Sequence, residues 1–177
     1  MDVYVDGNKI PTVNHPKILG VTFDSLFSFS AHASATCENM RARNKVLQSL
    51  AGSTCGADKE TLLTTYKAIG RSVANYAPPV WTAGTSDTQW RNLQKCQNAA
   101  LRTATGCHLM SSEHHLHQES QMLALKEHNT LLSKQFLVGC HRGNHPNNAL
   151  LRTHALHAGK VHTTPNTSSH APLTPRP

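Results

Sequence analysis

The sequence lacks the features of a membrane-spanning or exported protein. No apolar run approaches the roughly 18 residues that mark a membrane-spanning helix. The first ten residues, MDVYVDGNKI, have neither the basic start nor the apolar core of a signal peptide. The five cysteines are odd in number and widely spaced, which is atypical of a disulfide framework. These absences favour an intracellular setting, cytoplasmic or nuclear, and predict a chain that is not secreted and has no membrane partner.

The short motifs that carry much enzyme chemistry are also missing. There is no G-x-S-x-G, no P-loop and no G-x-G-x-x-G. Only ten of the 177 residues are acidic and they do not cluster, whereas metal-dependent nucleotidyl transfer needs carboxylates that converge on divalent ions. Asp24 ends the apolar stretch HPKILGVTFD without an acidic companion, so we interpret it as a strand-end residue that caps the next turn. The residues therefore indicate no catalytic site and no cofactor for this chain.

Positive charge is in excess, but part of it lies near the C-terminus. The formal net charge is +7, from 17 basic and 10 acidic residues. Three of the basic residues lie in 152–177, which leaves residues 1–151 with 14 basic and 10 acidic residues and a net charge of +4. From charge alone, such an excess favours polyanionic partners, with nucleic acid as the first candidate and an anionic membrane surface as the second.

The pattern of apolar residues predicts a mostly α-helical fold. Alternation in residues 2–13, around the turn signal Asp6-Gly7, predicts a short β-hairpin, and KILGVTF predicts one further strand. A bundle of about four helices follows, and the segment VWTAG after Pro78-Pro79 is expected to be extended. The predicted helices span about 30–50, 58–75, 86–105 and 122–138. From residue 152 the chain is rich in His, Thr, Ser and Pro, which predicts a disordered C-terminal tail.

Two local signals refine this expectation. Ser86 and Gln89 form the pattern of a capping box, so the third helix should begin after Ser86. Asn44 falls inside the apolar stripe of the first helix, where an amide needs either a buried hydrogen-bond partner or a groove.

Basic residues recur along one side of two predicted helices. At 100° per residue, Arg91, Lys95 and Arg102 lie within about 40° of one another on the third helix. Lys67 and Arg71 form an i,i+4 pair on the second helix, where two like charges repel. Either phosphates or water can offset this repulsion, so a backbone-binding surface and a solvated face both fit the pattern.

Histidine and cysteine offer a weaker alternative. The stretch CHRGNH places Cys140 and His141 near His145, and CHLMSSEHHLH places Cys107 near several histidines. Zinc ligands usually come in closely spaced pairs such as C-x-x-C, which does not occur here. With 13 histidines in the chain, chance clusters are expected, so we predict no metal site and keep Cys140, His141 and His145 as the alternative.

Four stretches together resemble one protein family. They are PKILGVTFD, SLAGSTCGADKETLLTTYKAIGRSVANYAPPVW, SDTQWRNLQKCQNAALRTATG, and HLHQES followed by LKEHNTLLSKQFLVGCHRGNHPN. In order and spacing they resemble the segment C-terminal to the catalytic palm in reverse transcriptases of non-LTR (LINE-type, jockey-like) retrotransposons. The resemblance covers roughly residues 1–151.

The resemblance implies a division of the chain and a set of partners. It divides the chain into a palm end in the primer-grip region (1–27), a helical thumb-like domain (28–110), a downstream helical region (111–151) and the disordered tail (152–177). In such polymerases the thumb holds the template–primer duplex through its backbone, a role that would fall here to Lys67, Arg71, Arg91, Lys95 and Arg102. The implied partners are an RNA template, an RNA–DNA or DNA duplex, and the palm and fingers of a parent polypeptide.

The catalytic aspartates of that family lie upstream, in a Tyr-x-Asp-Asp-type motif that this sequence does not contain. Mg²⁺ would accordingly be implied only for the full-length polymerase. The leading hypothesis is a truncated C-terminal fragment of a retrotransposon RNA-directed DNA polymerase, inactive by itself. The alternatives are a standalone helical module that binds nucleic acid or protein, and a small zinc-binding protein.

Overall fold

The computed structural model describes residues 4–9, 11, 13–52 and 56–142. The chain divides into two compact units, residues 1–136 and 137–177, and only residues 137–142 of the second are described. The predicted tail, residues 152–177, lies outside the described residues, as do Cys55 and His145.

The N-terminal region contains two antiparallel pairs of short strands. The strands are β1 (Tyr4–Val5), β2 (Asn8–Lys9), β3 (Lys17–Ile18) and β4 (Val21–Thr22). The predicted turn at Asp6-Gly7 is confirmed, with φ of 48° and 78° at the two residues. The prediction of a single strand in KILGVTF is wrong, because the chain reverses at Leu19-Gly20. Leu19 adopts a φ of 46°, a conformation more usual for Asn, Asp or Gly. Because leucine is rarely found in such a turn position, its presence in the sequence does not indicate a turn.

Helices make up most of the described chain, as predicted. They are α1 (Ser30–Ala51), α2 (Lys59–Thr65), a π-helix (Tyr66–Arg71), α3 (Ser72–Ala74), α4 (Pro78–Trp81), α5 (Asp87–Thr105), α6 (Glu113–Ser120) and α7 (Leu125–Arg142). The first, third and fourth predicted helices correspond to α1, α5 and α7. The second predicted helix is interrupted by the π-helical turn, and two short helices, α4 and α6, were not predicted.

The two additional helices have local causes. The segment after Pro78-Pro79 is not extended, because α4 covers Pro78–Trp81 and residues 82–84 form a turn. Prolines at the first helical positions lose no hydrogen bond and have a φ suited to a helix start. Helix α6 begins after its N-cap residue Ser112, whose hydroxyl accepts a hydrogen bond from the amide of His115. Only Leu116 and Ser120 are buried on α6, too few to produce a visible apolar period.

The boundaries of α5 confirm the predicted capping. Ser86 accepts a hydrogen bond from the amide of Gln89, and the Gln89 side chain accepts one from the amide of Ser86. The helix ends at Gly106, whose φ of 71° is readily adopted only without a side chain.

Helices α1 and α5 lie side by side and run in the same direction. Ala33 and Cys37 belong to one core cluster with Trp90 and Leu93, and Leu47 belongs to a second cluster with Leu101. Early residues of α1 thus meet early residues of α5, and late residues meet late ones. The segment from α2 to α3 runs back between these ends, because its first leucines join the second cluster and Ala74 joins the first.

Aromatic packing fixes the start of α5 against this frame. Trp81 and Trp90 stack with ring centroids 5.1 Å apart, and the indole of Trp81 donates to the carbonyl of Tyr76.

Buried side-chain amides also connect the helices. Asn44 has the expected partner, since its side chain donates to the carbonyl of Cys96 at 2.8 Å. Gln97 donates to the carbonyl of Leu123, ahead of α7.

Leu93 provides a test of this core, because its side chain is fully buried between the helices. We expect Leu93→Ala to lower the free energy of unfolding by about 2–5 kcal/mol, since it leaves a cavity in a packed interior. Leu131→Ala is the matched control, because Leu131 is 43% exposed and should cost less than about 1 kcal/mol. Urea denaturation followed by circular dichroism measures both, and equal losses would contradict the described core.

His32 joins the β3–β4 hairpin to the helices. Its Nδ1 accepts a hydrogen bond from the amide of Thr22 at 3.4 Å, and its ring meets Trp81 edge to face. Burial, with a smaller contribution from the charge of Lys17, lowers the pKa of His32 below its ordinary value of 6.5. The neutral imidazole is therefore the form that the fold accommodates.

We expect stability to depend on pH through His32. Because the pKa is lower in the folded chain than in the unfolded chain, unfolding takes up a proton, and the free energy of unfolding falls as the pH drops through 6.5. One such group contributes at most about 1.4 kcal/mol per pH unit. His32→Asn, which keeps an acceptor for Thr22, should flatten this dependence in urea titrations between about pH 7 and pH 5. The same change at the exposed His115 should leave the dependence as it is, and an unaltered slope in His32→Asn would refute the assignment.

Candidate nucleic-acid interface

A shallow basic groove lies between α1 and α5. Its volume is about 290 Å³, and it carries three exposed cations, Arg41 and Lys45 from α1 and Lys95 from α5. The remaining lining residues are Asn44, Gln48, Cys96 and Ala99. None of the residues lining this groove is acidic, so the three positive charges are not neutralised by a carboxylate within the lining.

The local fold explains why these cations converge. Arg41 and Lys45 are one helical turn apart on α1, so they project from the same side. Beneath them the hydrogen bond from Asn44 to the carbonyl of Cys96 holds α1 against α5. Cations on two helices thus border a groove whose base is fixed by a buried contact.

A smaller groove lies toward the N-terminal ends of the same helices. Its volume is about 190 Å³ and Arg41 lines it as well. The other lining residues are Ala33, Ser34, Cys37, Glu38, Gln89 and Asn92. Glu38 places a carboxylate here, so the two grooves differ in charge, and the one with Lys45 and Lys95 is better suited to an anion.

The predicted basic stripe on α5 is only partly open to solvent. Arg91 and Lys95 are exposed, and Arg91 donates to the hydroxyl of Thr88 within its own helix. Arg102 is half-buried and donates to the carbonyl of Ser111 at 3.5 Å. Of the predicted stripe, Lys95 lines the groove with the two α1 cations.

The structure places Lys67 and Arg71 in different environments. Lys67 is exposed, whereas Arg71 is 6% exposed and donates to the carbonyl of Leu123 at 3.1 Å. Burial lowers the pKa of Arg71, although the neighbouring Tyr66 acts in the opposite direction. The π-helix accounts for the departure from the predicted surface pair, since each of its turns takes in an extra residue and the 100° spacing no longer applies.

Arg41 and Lys45 were missed by the sequence reasoning. With Gln48 they follow the i, i+4, i+7 spacing of one helix face, the same signal that singled out the basic residues of α5. The sequence does not show which residues of other helices lie beside them. The parallel packing of α1 and α5, which brings Lys95 close, is a long-range contact.

The weaker metal alternative is not assembled in the described part of the chain. Cys140 is buried and His141 is exposed, while His145 lies outside the described residues. Among residues 4–9, 11, 13–52 and 56–142, no three His, Cys, Asp or Glu side chains converge as metal ligands do. Both ring nitrogens of His117 already have protein partners, the Gln94 amide and the carbonyl of Met122.

Asp24 caps a turn, as expected from its position. One carboxylate oxygen accepts hydrogen bonds from the amides of Leu26 and Ser28, and the other accepts the Ser28 hydroxyl, each at 3.0 Å. The bond from the Ser28 amide is the largest of the effects that lower the pKa of Asp24. This carboxylate is therefore engaged in local structure.

Comparison with known proteins relates the chain to reverse transcriptases. One similar protein is the probable RNA-directed DNA polymerase from transposon X-element of Drosophila melanogaster, which is 28% identical over 120 residues. The match covers 68% of this chain and 13% of that protein, so the chain spans a small part of its relative. No family model and no solved structure matches. Within the described residues, no helix is both long and apolar enough to cross a bilayer.

Proposed function

We propose that this chain is a thumb-like part of a retrotransposon RNA-directed DNA polymerase of the LINE type, from the region C-terminal to the palm, that holds nucleic acid through its phosphate backbone. As an isolated chain it is catalytically inactive, because the sequence has no Tyr-x-Asp-Asp motif. Its partners are an RNA template and an RNA–DNA or DNA duplex. Mg²⁺ belongs to the full-length polymerase, and this chain requires no cofactor.

The observation that carries the proposal is the basic groove between α1 and α5. Phosphate binding needs positive charge at a suitable spacing and no base-specific contact, which long side chains on two helix faces provide. Arg41, Lys45 and Lys95 line the groove, and the exposed Arg91 extends the basic surface along α5. Lys67 on the π-helix remains a candidate, whereas Arg71 and Arg102 support the fold through carbonyl contacts.

Exposed apolar side chains at the N-terminal end support a parent polypeptide as a second partner. Ile18, Leu19, Leu26 and Phe27 are between 55% and 87% exposed and lie close together in sequence. Large apolar surfaces on soluble domains usually contact another protein surface. In our proposal the palm of the parent polymerase covers them, whereas a standalone module would leave them in water.

Charge reversal tests the duplex-binding role. We expect Arg41→Glu with Lys45→Glu, and separately Arg91→Glu with Lys95→Glu, to weaken binding of an RNA–DNA duplex uniformly across sequences. Each pair should reduce the slope of log K against log salt by about 2, because two phosphate contacts are lost. Fluorescence anisotropy at several salt concentrations measures both quantities.

The control has the same change in net charge away from the groove. Lys17→Glu with Lys134→Glu alters two exposed lysines, one on β3 and one on α7. It should leave the salt slope nearly unchanged. If the control weakens binding as much as the groove variants, only overall charge matters and the proposed surface is wrong.

Primer extension tests the absence of catalysis. The purified chain, given a primed RNA template, deoxynucleotides and either Mg²⁺ or Mn²⁺, should show no incorporation above a no-protein blank, because it has no paired catalytic aspartates. A full-length reverse transcriptase serves as the positive control. Robust incorporation that co-purifies with the chain would overturn this part of the proposal.

A further inference from the structure

Two buried thiols meet beneath the grooves of the α1–α5 interface. Cys37 of α1 and Cys96 of α5 are 5% and 4% exposed, and their sulfur atoms are 2.9 Å apart. Even carbon atoms, which are smaller than sulfur, lie about 3.5–4.0 Å apart at non-bonded contact. Both residues are free thiols in this structure. A closing movement of about 0.9 Å would reach the covalent S–S distance of about 2.05 Å.

We propose that Cys37 and Cys96 are a site of reversible oxidation, at which a peroxide converts the two thiols into a disulfide that cross-links α1 to α5. This inference goes beyond the proposed duplex-binding function and does not depend on it. It follows from the position of the two sulfur atoms and from the openings on either side of them.

Each thiol borders a different groove. Cys37 lines the smaller groove with Ser34 and Glu38, which are exposed, so a molecule little larger than water can approach its sulfur from solvent. Cys96 lines the larger groove with Arg41 and Lys95. The larger groove is therefore electropositive, whereas the smaller groove, which opens onto Cys37, also contains the carboxylate of Glu38.

Access from solvent assigns the two cysteines different parts in the reaction, because the smaller groove opens onto the sulfur of Cys37. Burial, reinforced by the hydrogen bond with Cys37, raises the pKa of the Cys96 thiol. The thiolate of Cys37 attacks one peroxide oxygen and the O–O bond breaks, which gives a sulfenic acid and, after protonation, one water. The sulfur of Cys96 then attacks that of Cys37. The S–O bond breaks, and the hydroxyl leaves as a second water with the proton of Cys96.

Peptide mapping of the full chain tests the site. After treatment with hydrogen peroxide and trypsin without reductant, residues 18–41 should be recovered joined to residues 96–102, with the loss of two hydrogens. Dithiothreitol should restore the separate peptides. Because the link closes a long loop in the unfolded chain, the oxidised form should melt about 5–15 °C higher than the reduced form.

The controls separate this pair from general thiol oxidation. Cys37→Ala and Cys96→Ala should each abolish the linked peptide and the rise in Tm, whereas Cys107→Ser should keep both. Peroxide applied in urea should not favour this pair over the other cysteines. Recovery of residues 18–41 and 96–102 unlinked from the folded, peroxide-treated chain would overturn the proposal, even if either variant failed to fold.

Discussion

The parallel contact between α1 and α5 is the constraint on which the rest of the fold depends. Two parallel helices cannot be joined by a tight turn, so the chain must return from the end of one to the start of the other. The segment from α2 through α4 makes this return, and its buried residues Tyr66, Ala74 and Trp81 fill the space beside the pair. On another side of α5, side-chain amides reach α6, Leu123 and the first residue of α7. Helix α5 is thus contacted from several directions at once.

The same contact produces the candidate site. Asn44 and Cys96 join the two helices below the surface, and the cations Arg41, Lys45 and Lys95 border the groove above them. A buried hydrogen bond is worth about 1 kcal/mol in stability, but here it also sets the distance between charges on different helices. Positioning of this kind would let basic side chains act together on one phosphate backbone, where isolated surface cations would act separately.

The sequence predicts a helix well where local end signals accompany a clear apolar period, as in α5. Helices α4 and α6 also have local start signals, but they are short and are not predicted. Ser86 with Gln89, and Gly106, mark α5 because capping is decided by residues a few positions apart. It fails where conformation is set at a distance. Leu19 occupies a left-handed turn position while its carbonyl accepts a hydrogen bond from the Tyr76 hydroxyl, 57 residues away. The π-helix similarly turns Arg71 inward, where the carbonyl of Leu123 receives it. The basic faces of single helices could be predicted, but the groove depends on long-range packing that periodicity does not encode.

The parallel arrangement also has a consequence for synthesis of the chain on the ribosome. Helix α1 is complete at Ala51, but its partner is not complete until Thr105. At translation rates of about 5–20 residues per second, this interval lasts roughly 3–11 s. Met40 and Leu47, fully buried in the finished fold, have no α5 to pack against during that time. During this interval the nascent chain therefore contains a helix whose apolar face has no partner, although its opposite face is polar.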